Sequence, residues 1–248
     1  MAGNSSRPGI SVASRALALL AAFDSRHRQL TLTELARRAD LPIGTAHRLL
    51  GELYDWGAVA RLPSGHYVIG RRLWDVGLLA PLQTGLREVA SPFLHDLYGA
   101  TLATVHLAVR DGHEVLYVDR LSGHASVPVV SYIGSRLPLH ATGVGKVLLA
   151  YAPEEVQQYV LAHLVRVTPH TVVHTGIMRN QLVRVRRDGY ATTSEEMTMG
   201  ACSVAVPVFQ GADVVAALGL VVPTLKRDRA RLVAALHVAA RGISRTVR

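Results

Sequence analysis

The chain has 248 residues, enough for two domains that each bury a hydrophobic core. Its 27 Lys and Arg residues against 18 Asp and Glu residues give a formal net charge of +9, which is compatible with a polyanionic partner such as nucleic acid. The charge is spread evenly, +4 over residues 1–82 (10 basic, 6 acidic) and +5 over residues 83–248 (17 basic, 12 acidic). The single cysteine, Cys202, excludes an internal disulfide framework, and no apolar run reaches the length of a membrane span, so we expect a cytoplasmic protein.

The first residues, 1–9, are rich in Gly, Ser, Asn and Pro, and we expect them to be disordered. Ser11 or Ser14 is a candidate N-cap for a first helix that runs to about Phe23. The chain therefore begins with a short flexible segment and a helix.

The stretch Thr31–Gly57 contains two apolar runs at helical spacing, separated by a compact break. This pattern indicates a helix-turn-helix. Thr45, His47 and Arg48 would face outward near the start of the second helix, where they could enter a DNA major groove. A helical hairpin in an unrelated bundle has the same spacing, so the spacing alone leaves both interpretations open.

The next segment, AVARLPSGHYVIG, has strand-forming residues on both sides of the turn residues 63–65, which predicts a short hairpin. Three helices followed by a hairpin form a winged helix-turn-helix, which we assign to residues 10–70. Arg61, Ser64 and His66 would flank the hairpin tip and could reach phosphates or a minor groove. A solvated turn with incidental charge explains the same residues.

Residues 71–99 are predicted to be helical, broken near Pro81 and bent at Pro92. We assign residues 71–82 to a linker helix and residues 83–248 to a second domain. The predicted strands of this domain are ATVHLAVRD, HEVLYVDRL, SVPVVSYIG, YATTSEE, GACSVAVPVF and DVVAALGLVVP, and its predicted helices begin near Gly143 and Pro153 and cover about Ile177–Arg187 and Arg227–Val247. Interspersed helices and hairpin-linked strands predict an α/β domain of the α+β type with a mainly antiparallel sheet.

The sequence offers little support for a catalytic or metal site. There is no G-x-S-x-G elbow, and Cys202 lies in no recognised nucleophile signature. HATGVGKV departs from a phosphate-binding loop, since His140 replaces its first Gly and Val147 replaces its Ser or Thr. His170 and His174 form the tightest histidine pair, but no Cys or paired carboxylate adjoins them. We therefore expect no cofactor, no metal and no enzymatic activity.

Several motifs occur in order along the chain, namely SVASRALALLAAF, LTLTELARRADLPIGTAHRLLGEL, LPLHATGVGKVLLA, GYATTSEEMTMGACSVAVPVF and VVAALGLVVP. Together they resemble the IclR family of bacterial transcriptional regulators. The resemblance implies a winged helix-turn-helix, a linker helix and a GAF-like effector-binding domain. It also implies a non-enzymatic regulator, which we expect to be a repressor, that binds operator DNA as a homodimer or a dimer of dimers and responds to a small organic acid.

The resemblance places the recognition helix at Ile43–Tyr54. The implied DNA-binding residues are Thr33, Ile43, Gly44, Thr45, His47, Arg48, Arg61, Ser64 and His66. The family commonly has a basic residue and a Ser or Thr where this chain has Ile43 and Gly44, which removes one expected phosphate contact. Arg48 has an alternative structural role, because it could pair with Glu34 or Glu52.

The implied effector site lies mainly in LPLHATGVGKV, where Thr142 could cap a helix whose free amides would hold a carboxylate. The implied residues are Leu137, His140, Thr142, Gly143, Val144, Thr193, Ser203, Gly219 and Val221. A Gly-rich helix start that packs closely on a sheet is the alternative. We expect His106 and His140 to be core or pocket histidines rather than metal ligands.

The predicted pocket is less polar than the family pattern. Many members have Asp where this chain has Thr193 and Cys where it has Ser203, and those that bind small keto acids often have Ser at the positions of Gly219 and Val221. We therefore expect a ligand bulkier and more apolar than glyoxylate or pyruvate, such as an aromatic acid.

Two further alternatives stay open from the sequence. Met197 and Met199 could flex over the pocket mouth or simply pack. A small-molecule-binding or enzymatic α/β domain, whose N-terminal helices serve only dimerisation, is the alternative to a DNA-binding regulator.

Overall fold

The structure, a computed structural model, describes residues 11–24, 27–77, 84–123 and 127–247, so the expected disorder of residues 1–9 lies outside it. The chain divides into two compact units, Met1–Pro81 and Leu82–Arg248. The helices are α1 (Val12–Ala21), α2 (Leu32–Arg38), α3 (Ile43–Trp56), α4 (Arg71–Gly77), α5 (Thr84–Thr101), α6 (Gly143–Ala150), α7 (Glu154–Ala162), α8 (Thr175–Asp188) and α9 (Arg229–Thr246). The strands are β1 (Val59–Arg61), β2 (Tyr67–Ile69), β3 (Thr104–Asp111), β4 (Glu114–Leu121), β5 (Arg136–Pro138), β6 (Ala191–Ser194), β7 (Cys202–Gln210) and β8 (Asp213–Val222). None of the described helices is both long and apolar enough to cross a bilayer.

In the N-terminal unit, local signals set where the first helices begin and end. Ser11 caps α1 by accepting a hydrogen bond from the amide of Ser14. Thr31 caps α2 in a capping box with Glu34. Gly57, with φ at 83°, ends α3 in the left-handed conformation that glycine adopts most readily. The predicted helix-turn-helix is confirmed.

The predicted wing is also present, as the antiparallel hairpin β1–β2. Its turn closes with hydrogen bonds from Leu62 N to His66 O (2.8 Å) and from Gly65 N to Leu62 O (2.9 Å). A bridge between Leu30 and Tyr67 attaches the hairpin to the chain just before α2. Leucines and alanines of the three helices form one core with Val59 and Tyr67 of the hairpin, so the wing is held by the helices.

The C-terminal unit contains a six-stranded sheet in the order β5-β4-β3-β8-β7-β6, antiparallel throughout. Helices α6, α7 and α8 pack on one face around a core that includes Val147 and Met178, whereas α5 and α9 cover the other face around Leu94 and Leu236. The predicted α+β class with a mainly antiparallel sheet is confirmed.

One predicted strand is wrong. SVPVVSYIG was expected to be a strand, but its described part, residues 127–134, contains none. Pro128 has no amide for a ladder, and Gly134 adopts φ at 87° in a turn. The edge strand is instead the three-residue β5, which follows this turn and pairs with β4.

The described residues of the predicted long helix 71–99 are helical, in α4 and α5. Residues 78–83, which include the expected break near Pro81 and the end of the predicted linker 71–82, lie outside the described residues. Helix α5 continues through Pro92.

Candidate functional site

A cavity with a volume of about 50 Å³ lies between the N-terminus of α6 and one face of the sheet. Concave sites of this kind, with a mostly apolar lining and a few polar groups, are where small organic ligands bind. The lining is mostly apolar, and the described lining residues include no Lys, Arg, Asp or Glu. The structure brings together here the predicted residues Leu137, Thr142, Gly143, Val144, Thr193, Ser203, Gly219 and Val221.

His140 is the predicted effector residue that the structure does not bring to this cavity. Its ring is buried and makes a 2.8 Å hydrogen bond through Nε2 to the carbonyl oxygen of Val165. The side chain lines a separate surface groove beside Tyr159 and His163. Burial lowers the pKa of His140, and the bond to Val165 opposes this effect. In the structure His140 therefore does not line the cavity, unlike the other predicted effector residues, and its ring is a buried, hydrogen-bonded histidine.

The start of α6 presents free backbone donors to the cavity. Thr142 caps the helix, because its Oγ1 accepts a hydrogen bond from the amide of Gly145 (3.1 Å) and its carbonyl accepts one from Lys146 (2.9 Å). Within the described residues, the amides of Gly143 and Val144 have no backbone or side-chain acceptor. These donors and the positive end of the helix dipole can hold an anionic group.

The glycine at the helix start also has a packing role. A Cβ on Gly143 would lie 2.4 Å from Ser203 Oγ, so a larger residue here would force the Ser203 side chain or the helix to move. A Cβ on Gly219 would lie 2.8 Å from Val144 Cγ1. The N-terminus of α6 therefore combines close packing on the sheet with free backbone amides. The nearby hydroxyls of Thr193 and Ser203 are 2.6 Å apart and hydrogen-bond each other.

The opposite part of the cavity contains a polar group whose partners could not be read from the sequence. His106 Nε2 lies 2.8 Å from Ser131 Oγ, and the His106 ring packs edge-on against Tyr117 with centroids 4.8 Å apart. Burial, with a smaller effect of Arg120, lowers the pKa of His106 to about 3, so the imidazole is neutral at pH 7. Burial also raises the pKa of Tyr117. Tyr117 and Ser131 gave no sequence signal, because their position depends on strand register and on a loop.

The two methionines have different surroundings. Met197 lines the cavity, whereas Met199 is 53% exposed and is not part of the lining. Only Met197 is therefore placed to contact a ligand.

In the N-terminal unit, α3 begins without a side-chain cap. Its N-cap is Pro42, and the amide of Ala46 is the first to bond within the helix, to Pro42 O at 2.9 Å. The amides of Ile43, Gly44 and Thr45 are therefore left for an external acceptor. A Cβ on Gly44 would meet nothing within 4 Å, so an approaching group has room there.

The predicted DNA-contacting side chains lie on the surface of this unit. Thr33, Ile43, Gly44, His47, Arg48, Arg61 and Ser64 are exposed, and Thr45 and His66 are half-buried. Arg48 makes a 2.6 Å ion pair with Glu52 one turn later, which was one of its two expected structural partners. At the wing, His66 Nδ1 lies 3.1 Å from Ser64 Oγ.

The residues considered for metal binding and nucleophilic chemistry have other surroundings. His174 caps α8 by accepting a hydrogen bond from the amide of Ile177 (3.4 Å). Cys202 is half-buried, with Sγ 3.6 Å from the hydroxyl oxygen of Ser194. Within residues 11–24, 27–77, 84–123 and 127–247, no three His, Cys, Asp or Glu side chains are grouped to hold a metal ion.

Both units match models of one protein family. Residues 12–63 match the IclR helix-turn-helix domain, and residues 81–245 match the bacterial transcriptional regulator IclR C-terminal domain. The chain is 34% identical to the transcriptional regulator XynR of Escherichia coli over 91% of each chain. It is 32% identical to the transcriptional repressor AllR of Salmonella typhi, over 89% of this chain and 84% of the relative.

Solved structures show the same relationship. An IclR homologue from Microbacterium hydrocarbonoxydans, crystallised in complex with 4-hydroxybenzoate, superposes with a TM-score of 0.92 at 34% identity, over 95% of this chain and 98% of the other. The IclR of Thermotoga maritima superposes with a TM-score of 0.77 at 28% identity, over 94% and 97% of the two chains. The family models and these full-length similarities lead to one conclusion: the chain belongs to the IclR family of bacterial transcriptional regulators.

Proposed function

We propose that the protein is a cytoplasmic repressor whose binding to operator DNA is changed by a small aromatic carboxylate held in the C-terminal unit. We assign residues 10–70 to DNA binding, residues 71–82 to the linker and residues 83–248 to effector binding. The observation that carries the proposal is the apolar cavity that ends at the free amides of Gly143 and Val144. An apolar ring with one anionic substituent matches both parts of this cavity.

The cavity favours an aromatic acid over a small keto acid. Gly219 and Val221 bring no polar atom to the wall, and the Thr193 and Ser203 hydroxyls already bond each other. A two- or three-carbon keto acid would leave most of this apolar wall uncovered. The 4-hydroxybenzoate complex of the related Microbacterium protein supports an aromatic carboxylate as the ligand class.

The N-terminal unit supplies the DNA contacts in this proposal. The free amides at Ile43, Gly44 and Thr45 would bind a phosphate, which compensates for the absence of the family's basic residue at this point. His47 and Arg48 would contact base edges and backbone, and Arg61, Ser64 and His66 of the wing would contact phosphates or the minor groove.

We further propose that the protein acts by binding alone and as a homodimer or a dimer of dimers. One recognition helix covers a single half-site, so a dimer is needed to read a complete operator. The ligand and the DNA would each favour one arrangement of this dimer, which couples the two binding events.

The proposal is tested by ligand binding and DNA binding on the full chain. In a thermal-shift assay with benzoate, 4-hydroxybenzoate, glyoxylate and pyruvate, the two aromatic acids should raise the melting temperature. A duplex that the protein selects from a random-sequence pool should bind with an affinity that falls steeply with salt and changes when the stabilising acid is added. Stabilisation by the keto acids alone, or DNA binding that no aromatic acid alters, would refute the proposal.

A further inference from the structure

Three buried side-chain polar atoms in the C-terminal unit have no hydrogen-bond partner among the described residues. Two of them lie on the neighbouring strands β3 and β4, namely Thr104 Oγ1, on a residue with 0% exposure, and Arg120 Nε, and the third, Gln181 Oε1, lies on α8. Buried polar groups are almost always paired, because a buried group without a partner destabilises the fold. A partner absent from the protein itself is the simplest reason for such a pair of atoms.

Strand register places both residues on the sheet face that forms the cavity floor. Thr104 lies directly opposite Val221, and Arg120 lies directly opposite His106. Directly opposed residues in neighbouring strands project to the same face of a sheet. Since Val221 and His106 line the cavity, Thr104 and Arg120 project to the same sheet face as these two lining residues, and neither is itself part of the lining.

The distance from the α6 amides to Thr104 matches one aromatic ring with a substituent at each end. Gly143 lies over Ser203, since its Cβ would almost touch that hydroxyl. Ser203 pairs with Val221 and Val221 pairs with Thr104, so Ser203 and Thr104 are two strands apart, about 10 Å. A ring with para substituents, with a hydrogen bond at each end, spans about this distance.

The groups around Thr104 and Arg120 can bind an uncharged or an anionic oxygen. His106 is neutral and bonded to Ser131, which leaves Arg120 as the cation on this part of the described sheet face. Arg120 Nε can only donate, whereas the Thr104 hydroxyl can donate or accept. An oxygen substituent therefore satisfies both atoms, and a methyl group of the same size satisfies neither.

We propose that Thr104 and Arg120 form a second polar subsite, which selects aromatic carboxylates bearing an oxygen substituent opposite the carboxylate. This inference rests on the proposed function, because it requires the carboxylate to lie at the α6 amides. The oxygen can be a hydroxyl or a second carboxylate, and both would accept a hydrogen bond from Arg120.

Calorimetric titration of the full chain compares 4-hydroxybenzoate and terephthalate with 4-methylbenzoate, which matches the hydroxy acid in size. We expect at least one of the two oxygen-bearing acids to bind about tenfold more tightly than the methyl analogue, and the tighter one identifies the substituent. Equal affinities for all three would overturn the subsite and leave the proposed function intact. Failure of all three to bind would overturn both.

Substitution locates the contact. Thr104→Val keeps the side-chain shape and removes the hydroxyl, so it should weaken the oxygen-bearing acid about fivefold and leave 4-methylbenzoate unchanged. Arg120→Lys keeps the charge and removes Nε, so it should also weaken binding of the oxygen-bearing acid. Thr192→Val is the matched control, because Thr192 is on the opposite face of β6 from the cavity residue Thr193. Equal weakening of both ligands by Thr104→Val would overturn the assignment.

The ligand-free protein provides a second measurement. Removal of a buried hydroxyl without a partner should raise the melting temperature of the Thr104→Val variant, although the same change weakens the ligand. If Thr104 had a purely structural role, Thr104→Val would lower both the melting temperature and the affinity for the ligand. A lower melting temperature with unchanged ligand selectivity would overturn the proposal.

Discussion

Lys146 on α6 and Glu196, in the loop between β6 and β7, form a buried ion pair with Nζ 2.6 Å from Oε1. Their side chains are only 1% and 7% exposed. Glu196 also receives hydrogen bonds on its carbonyl oxygen from Thr171 Oγ1 and on its carboxylate from the amide of Val172. Because Met197 follows directly and lines the cavity, the ion pair links one wall of the cavity to α6, the helix that we propose holds the carboxylate.

Removal of one partner of this pair should be strongly destabilising. Burial lowers the pKa of Lys146 and Glu196 raises it, so without Glu196 the ammonium would be desolvated and unpaired. We expect Glu196→Gln to lower the free energy of unfolding by about 3–5 kcal/mol, measured by urea denaturation. The double variant Lys146→Met, Glu196→Met should recover most of this loss.

The matched control for the buried pair is Asp111→Asn, which breaks the exposed ion pair between Arg136 and Asp111. Exposed pairs contribute about 0–1 kcal/mol, so this change should have a small effect. If Glu196→Gln lowered the free energy of unfolding no more than Asp111→Asn does, burial would not be the reason that the Lys146–Glu196 pair matters for stability.

His106 should make the protein less stable at mildly acidic pH. Its pKa is about 3 in the folded chain and 6.5 unfolded, so between these values the unfolded state binds more protons. The stability contributed by neutral His106 is complete above pH 6.5 and decreases as the pH falls towards 3. Between pH 7 and pH 5 the loss should be about 2 kcal/mol.

Urea denaturation between pH 5 and pH 7 tests the prediction. The quantity to compare is the slope of the free energy of unfolding against pH, not the free energy at one pH. His106→Gln should flatten the profile, whereas His95→Gln, at an exposed position of α5, should leave it unchanged. His140 and His237 also have lowered pKa values and will leave a residual slope of the same sign. An identical slope in wild type and His106→Gln would contradict the assignment.

Gly143→Ala should close the cavity at the carboxylate end. The new Cβ would lie 2.4 Å from Ser203 Oγ, and such overpacking costs about 1–3 kcal/mol. We expect lower stability and loss of the thermal shift with 4-hydroxybenzoate. Ser203→Ala in the same chain removes the clashing oxygen and should restore much of the stability. As a control, Gly99→Ala meets nothing within 4 Å on α5 and should be neutral or stabilising.

Glu52→Gln should strengthen DNA binding. Arg48 is held 2.6 Å from the Glu52 carboxylate on the exposed face of α3, so Glu52 competes with phosphate for the guanidinium. Removal of this charge should raise the affinity for the selected duplex about fivefold in an anisotropy titration, and Arg48→Ala should lower it about tenfold. Glu88→Gln, in the C-terminal unit, is the charge-matched control. Weaker DNA binding by a folded Glu52→Gln variant would show that the pair orients Arg48 for DNA.

The sequence alone predicted the parts of this protein that depend on neighbours a few residues apart. The caps at Ser11 and Thr142 each depend on one side chain and the adjacent backbone. Hydrophobic periodicity likewise predicted most helices and strands, because it records which face of each element is buried. The segment 127–134 was mispredicted because strand-forming composition does not reveal whether a partner strand is available.

The tertiary structure decided which of these residues meet. Lys146 and Glu196 are fifty residues apart in the chain, and His106 and Ser131 are twenty-five apart, so neither pairing has a local signal. His140 is only two residues from Thr142 but hydrogen-bonds Val165 instead of lining the cavity, since its ring points elsewhere. The atoms Thr104 Oγ1 and Arg120 Nε have no partner among the described residues, and only strand register reveals that their residues share the sheet face of His106 and Val221. Register and burial are properties of the assembled sheet, and no single segment contains them.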